Sequence, residues 1–218
     1  MFGKFKLQGN VSGAIRSDEN MKNIDKDLAD SSYKQQKKKL DIFMKERGFV
    51  KYKTNAYIRR NEINVLEYIG LQKERYGSKT FTVNYALISL YVPHNFLSFD
   101  LGDRLGKLIC NKDVWWDYSD EMVAQLNFQN VMRAIDELLL PWFDEKSSKK
   151  ALKQELLREE KVCKKYGGRL SDIQQAWLNA IDSDADFSEI INKNISIFKL
   201  PSALQNSSNK TNDDDLER

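Results

Sequence analysis

The chain has 218 residues, with 35 Lys and Arg against 32 Asp and Glu, one His, two Cys and three Pro. A hydrophobic content of 41% with 11% aromatics is enough for a packed core and excludes global disorder. No apolar run of about 18 residues and no N-terminal apolar signal core occur, and one His with two Cys is poor stock for a zinc site or a disulfide scaffold. The expectation is therefore a cytoplasmic protein without membrane contact, metal or cofactor.

Residues 1–30 carry few large apolar residues in any period and read as a flexible N-terminal arm. The first helix is expected from Ser31 or Ser32, either of which can cap it, with Tyr33, Leu40, Phe43 and Met44 on one face. Gly48 should stop it and Phe49 fold back against it. Three strand-like runs follow. Residues 49–60 place Val50, Tyr52, Ala56 and Ile58 opposite Lys51, Lys53 and Arg59. Residues 62–73 place Ile63, Val65, Ile69 and Leu71 opposite Leu66 and Tyr68. Residues 79–92 are apolar on both faces, the mark of a central strand. The short turns between these runs force antiparallel neighbours, so the runs form a β-meander.

Residues 94–103 read as a loop and residues 104–110 as a fourth strand. Ser119 should cap the longest amphipathic helix, on which Ala124, Phe128, Val131, Ile135, Leu138 and Trp142 share one face until Pro141 ends or kinks it. Residues 147–165 read as a charged helix with a thin stripe of Leu152, Leu156 and Cys163, broken at Gly167 and Gly168. Ser171 and Gln174 form a capping box for a helix carrying Ile173, Trp177 and Ile181. Ser183 should open a last helix with Phe187, Ile190 and Ile191. The polar stretch 201–218 is expected to be disordered.

The charge is uneven. Residues 31–60 hold ten Lys and Arg against two acids, and residues 146–170 hold nine against three, which leaves the remainder acidic. Such segregation marks either a solvated lysine surface or a site for an acidic partner. Catalytic motifs are missing: there is no phosphate-cradling Gly loop, and His94, Cys110 and Cys163 have no supporting motif. Asp182, Asp184 and Asp186 imitate a calcium loop, but Phe187 and Lys193 stand where Gly and Glu are required.

The candidate binding residues are Arg59, Arg60, Glu67, Gln72 and Arg104 beside the strands, and the Trp115–Trp116 pair. Shared by one sheet face, the polar set would form a groove in which Arg59 and Arg104 grip a carboxylate or phosphate. One tryptophan of an extended pair faces the core and the other is free to anchor an interface.

Several landmarks recur in a fixed order: Gly48-Phe49, a strand with Tyr57 and Arg59, Leu71-Gln72, Phe81-Thr82-Val83-Asn84, Arg104-Leu105-Gly106, Trp115-Trp116 and Pro141-Trp142-Phe143. In this order they resemble the bacterial family known as domain of unknown function 4304, over about residues 31–145. The resemblance implies a compact cytosolic α+β domain with no assigned reaction and no catalytic residue to carry over. By analogy with small orphan bacterial domains it points to immunity-type and partner-binding roles.

The expected architecture is α+β: an N-terminal helix, then an antiparallel β-meander sheet packed by a long helix within a 31–145 core, then a helical extension over 146–200. The expected function is non-enzymatic binding of another protein. The alternative is nucleic-acid binding through residues 31–60 and 146–170, with Tyr33, Tyr52 and Tyr57 stacking on bases.

Overall fold

A computed structural model describes the backbone of residues 12–205 and the side chains of residues 27–205. Helix α1 spans Ser12–Glu46. It begins well before Ser31, so the arm expected over residues 1–30 is helical from Ser12, and residues 1–11 lie outside the described range. Tyr33, Leu40 and Met44 are buried as their spacing requires, and Phe43 is half-buried. The end follows the sequence closely. Gly48 takes a φ of 78°, its N–H bonds the Lys45 carbonyl, and the Phe49 N–H returns to the Met44 carbonyl at 3.0 Å. This is a Schellman closure, and it drops the Phe49 ring into the core.

The sheet follows. The single run expected over 49–60 is a hairpin, β1 (Val50–Lys53) and β2 (Ala56–Arg60), because Thr54 and Asn55 make a turn. Strand β3 (Val65–Lys73) pairs antiparallel with β2 and with β4 (Thr80–Ser89). On its far side β4 carries β5 (Leu101–Arg104) and then β6 (Trp116–Asp117). It is the central strand that its two apolar faces require. Residues 105–110 are not a strand. They form a short helix α2 (Leu105–Cys110), closed by Asn111 in the left-handed region. Leu105 and Leu108 pack inward at helical spacing, a period that so short a run cannot distinguish from alternation.

Helix α3 (Glu121–Ala134) is capped by Asp120, not Ser119, whose own N–H is held by Asp117. Its side chain accepts the N–H groups of Met122 and Val123. A π turn (Ile135–Leu139) joins it to α4 (Leu140–Glu145). Pro141 has no N–H to give the preceding turn, and the chain widens there by one residue. That extra residue rotates the helix. Ala124, Phe128, Val131 and Ile135 are buried as expected, but the core face then passes to Leu139 and Phe143, leaving Leu138 exposed and Trp142 half-buried.

Three more helices follow, α5 (Lys149–Lys165), α6 (Asp172–Ala180) and α7 (Ser188–Phe198). The Ser171–Gln174 capping box forms as expected. The last helix starts at Ser188, not Ser183, with Asp186 receiving the Ser188 N–H. The first residues of the expected polar tail are ordered: Ser202–Leu204 make a 3-10 turn and Leu204 is buried, while residues 206–218 lie outside the described range.

Two apolar clusters divide the molecule. The odd-numbered side of β3 and β4 (Val65, Ile69, Leu71, Phe81, Val83, Tyr85, Leu87) packs against α1, α3 and α4. Tyr33, Phe81, Tyr118 and Phe128 gather there, with Phe81 and Phe128 centroids 4.7 Å apart. Leu152 and Leu156 of α5 and Trp177 of α6 extend this cluster, and the Trp177 indole donates to Tyr91 Oη at 2.5 Å. The even-numbered side (Ile58, Leu66, Ala86, Ile88, Leu90) packs against Ile195, Phe198, Leu200 and Leu204. The C-terminal extension therefore contributes buried residues to both clusters.

Candidate binding surface

Alternation and register place nine residues of the second sheet face in a grid. Tyr68, Ala86 and Gly102 make one row, Gly70, Asn84 and Arg104 the next. Gln72 and Thr82 are paired in the third row, and Trp115, which precedes the Phe81–Trp116 pair, borders Thr82. Beyond Ala86 the face is covered by α7; toward Gln72 it is open. The Asn84 amide donates to Gln72 Oε1 at 3.1 Å. The Arg104 guanidinium lies 5.3 Å from the Trp115 ring and donates to Asp113 at 2.6 Å. Only one of its nitrogens is bound to Asp113, so the fork retains donors toward solvent. The Trp115 ring is 37% exposed.

Tyr68 lies along its own strand over Gly70. A Cβ at Gly70 would stand 2.3 Å from the Tyr68 hydroxyl, so glycine is required for the ring to lie there. The Phe99 ring lies tilted against Tyr68, centroids 4.6 Å apart, and is 51% exposed, with Phe96 nearby in sequence and 69% exposed. The Thr82 hydroxyl is buried and has no hydrogen-bond partner among the described residues.

Of the seven residues singled out from sequence, Gln72, Arg104 and Trp115 meet here. The other four do not. Arg59 and Glu67 pair across β2 and β3 on the first face at 2.5 Å, and Glu67 is buried. Burial pushes the Glu67 carboxyl up, and the Arg59 guanidinium pulls part of that shift back. Arg60 points to the second face at its covered end, donating to the Leu204 carbonyl at 2.9 Å and to Asn64. Trp116 is buried against Phe81. A single groove containing both Arg59 and Arg104 does not exist, because odd and even strand positions face opposite ways. Asn84, Tyr68 and Phe99 were missed; Asn84 was legible as the one amide inside an otherwise apolar central strand.

A second polar cluster lies in the 90–100 loop. His94 and Asp100 have side chains with no solvent exposure, 3.4 Å apart. The Ser89 carbonyl lies 2.9 Å from His94 Nε2, and since it can only accept, that nitrogen carries the hydrogen. Asp100 receives the Ser89 N–H and the Ser98 hydroxyl. Burial pushes the Asp100 carboxyl up to about 7 and the His94 imidazole down. Ser98, His94 and Asp100 have the membership of a hydrolytic triad without its wiring: the serine hydrogen goes to the carboxylate. Neither cysteine is among the contacts of His94.

About half of the basic side chains in the two segments, nine of nineteen, are ion-paired within the molecule. Lys37 is buried, not on the outer face of α1; it reaches Asp41 at 2.7 Å and lies over the Tyr57 ring. Asp41 also receives Lys51 and the Tyr57 hydroxyl, contacts that together hold its carboxyl below the usual value despite burial. Arg47 binds Asp136, Lys153 binds Asp182 and Arg158 binds Glu155. Tyr33 and Tyr57 are buried and offer no face to a base. Among the described residues there is no cluster of three or more His, Cys, Asp and Glu arranged for a metal, and no helix long and apolar enough to cross a membrane.

No curated protein and no solved structure matches the chain. Residues 40–145, which hold the whole sheet, the last turns of α1 and the helices α2 to α4, match the family of the domain of unknown function DUF4304.

Proposed function

We propose that the protein is a non-enzymatic protein-binding module of the bacterial cytoplasm, acting through the open half of its second sheet face. The observation that carries this reading is the convergence of Gln72, Asn84, Arg104 and Trp115 beside the Tyr68–Phe99 pair. Tryptophan, tyrosine and arginine are the residue types enriched at the energetic centres of interfaces. The mode proposed is occlusion of a partner's surface, as an immunity protein works. The alternative of nucleic-acid binding loses support from the internal pairing of Lys37, Lys51, Arg47 and Arg59 and from the burial of Tyr33 and Tyr57. Affinity capture from the native host tests the proposal. The wild type should retain a protein that a Trp115→Ala, Gln72→Arg variant of unchanged melting temperature does not. Equal retention by both would reject this surface.

A further inference from the structure

Helix α7 lies on the second sheet face in the manner of a bound peptide. With the half-buried Ile191 at i, its buried positions Asn194, Ile195 and Phe198 fall at i+3, i+4 and i+7, the spacing of a helix held in a groove. The groove belongs to the matched domain: Ile58, Leu66, Ala86, Ile88 and Leu90 are its floor. Its cover comes from outside the matched residues. The polar fit is specific. The Asn194 amide donates to the Leu90 and Val92 carbonyls at 2.8 and 2.7 Å, and its oxygen receives the His94 N–H. Three backbone groups left free where β4 ends are thus satisfied by one side chain. Tyr52 adds a bond to the Phe198 carbonyl at 2.7 Å. Residues 182–187, which join α6 to α7, form no helix or strand, so the connection puts no rigid element between the two.

We infer that this groove is a helix-docking site of the domain, that α7 fills it as a ligand in cis, and that it accepts in trans an amphipathic partner helix of the pattern Ile-x-x-Asn-Ile-x-x-Phe. The aliphatic positions fill the sheet floor, the aromatic one packs beside His94, and the asparagine reads the strand end. The site is separate from the open surface near Trp115 and does not depend on it. While tethered, α7 holds the groove at an effective concentration of roughly millimolar, so a free helix enters only when the tether is cut or α7 is weakened.

The test uses the full chain with a protease site replacing residues 183–186. After cleavage, the C-terminal fragment should co-elute with a core of unchanged circular dichroism. A fluorescein-labelled peptide of residues 187–205 should then exchange into the groove. A peptide with Asn194→Ala and Phe198→Ala should bind more weakly by a factor of about 100 or more. As a second variant, uncleaved protein carrying Phe198→Ala should take up the wild-type peptide, while uncleaved wild type should not. Loss of the core's fold on cleavage would show α7 to be an integral element and overturn the inference. So would a folded cleaved core that takes up neither peptide, or both equally.

Discussion

The two faces of the sheet are closed by different means. The first is sealed by α1, α3 and α4, largely from within the matched residues, around an aromatic cluster with Phe81 and Phe128 at its centre. The second is half covered by α7 and the segment after it, and half left to Gln72, Asn84, Arg104 and Trp115. Both faces use alternating positions of the same strands, so the difference lies in what arrives from elsewhere. A face closed by local chain is a foundation, and a face closed late or left open is where recognition is placed.

The largest effect should come from the first face. Ile135 is fully buried where the π turn begins, and Ile135→Asp places an unpaired charge there at a cost of several kcal/mol. Thermal melting by circular dichroism should show no cooperative transition at 25 °C and above. On the second face Phe198→Ala should cost roughly 3–5 kcal/mol in urea unfolding, the usual range for a buried phenylalanine. If the cover is a docked ligand, much of that cost falls on α7, and hydrogen exchange should rise in 188–198 before it rises in β3 and β4.

The polar cluster between loop and α7 gives a sharper test through its pH dependence. Asp100 has a folded pKa near 7 against an ordinary 3.8, so the folded protein keeps a proton that the unfolded chain releases, and this group's contribution falls as pH rises through that window. His94 is lowered below 6.5, so the unfolded chain takes up a proton that the folded one refuses, and its contribution falls as pH drops below 6.5. Just below pH 6.5 the two slopes oppose each other. Asp100→Asn should therefore lose stability relative to wild type on acidification below pH 6.5. His94→Gln should gain stability over the same range. Urea midpoints at pH 5 and 6.5 measure both slopes.

Much of the first face was legible in sequence, since period-2 and period-3.6 patterns report burial directly. The Gly48-Phe49 stop, the central position of β4 and the Ser171–Gln174 box needed only local chemistry. Leu138 was placed inward because periodicity assumes an unbroken helix, and the π turn adds a residue before Pro141. A lysine-rich segment reads as solvated from its charge alone, yet Lys37 lies inside, accommodated by Asp41 and the Tyr57 ring. Arg59 and Arg104 were grouped by residue type, though their parity relative to the strand partners separates them. Which strand face stays open depends on where α7 docks, a long-range contact with no local signature.

The smallest effect on stability should be at the open surface. Trp115→Ala removes a partly exposed ring from Arg104 and should change the unfolding free energy by no more than about 1 kcal/mol. Its effect should appear in binding instead.

That separation is tested most directly by site-specific photo-crosslinking in the native host, with a benzophenone side chain replacing Gln72 on the open surface or Lys38 on the exposed side of α1. The account predicts a discrete protein adduct from position 72, lost when Arg104→Ala and Trp115→Ala are added, and none from position 38. No adduct from position 72, or the same adduct from both positions, would contradict it.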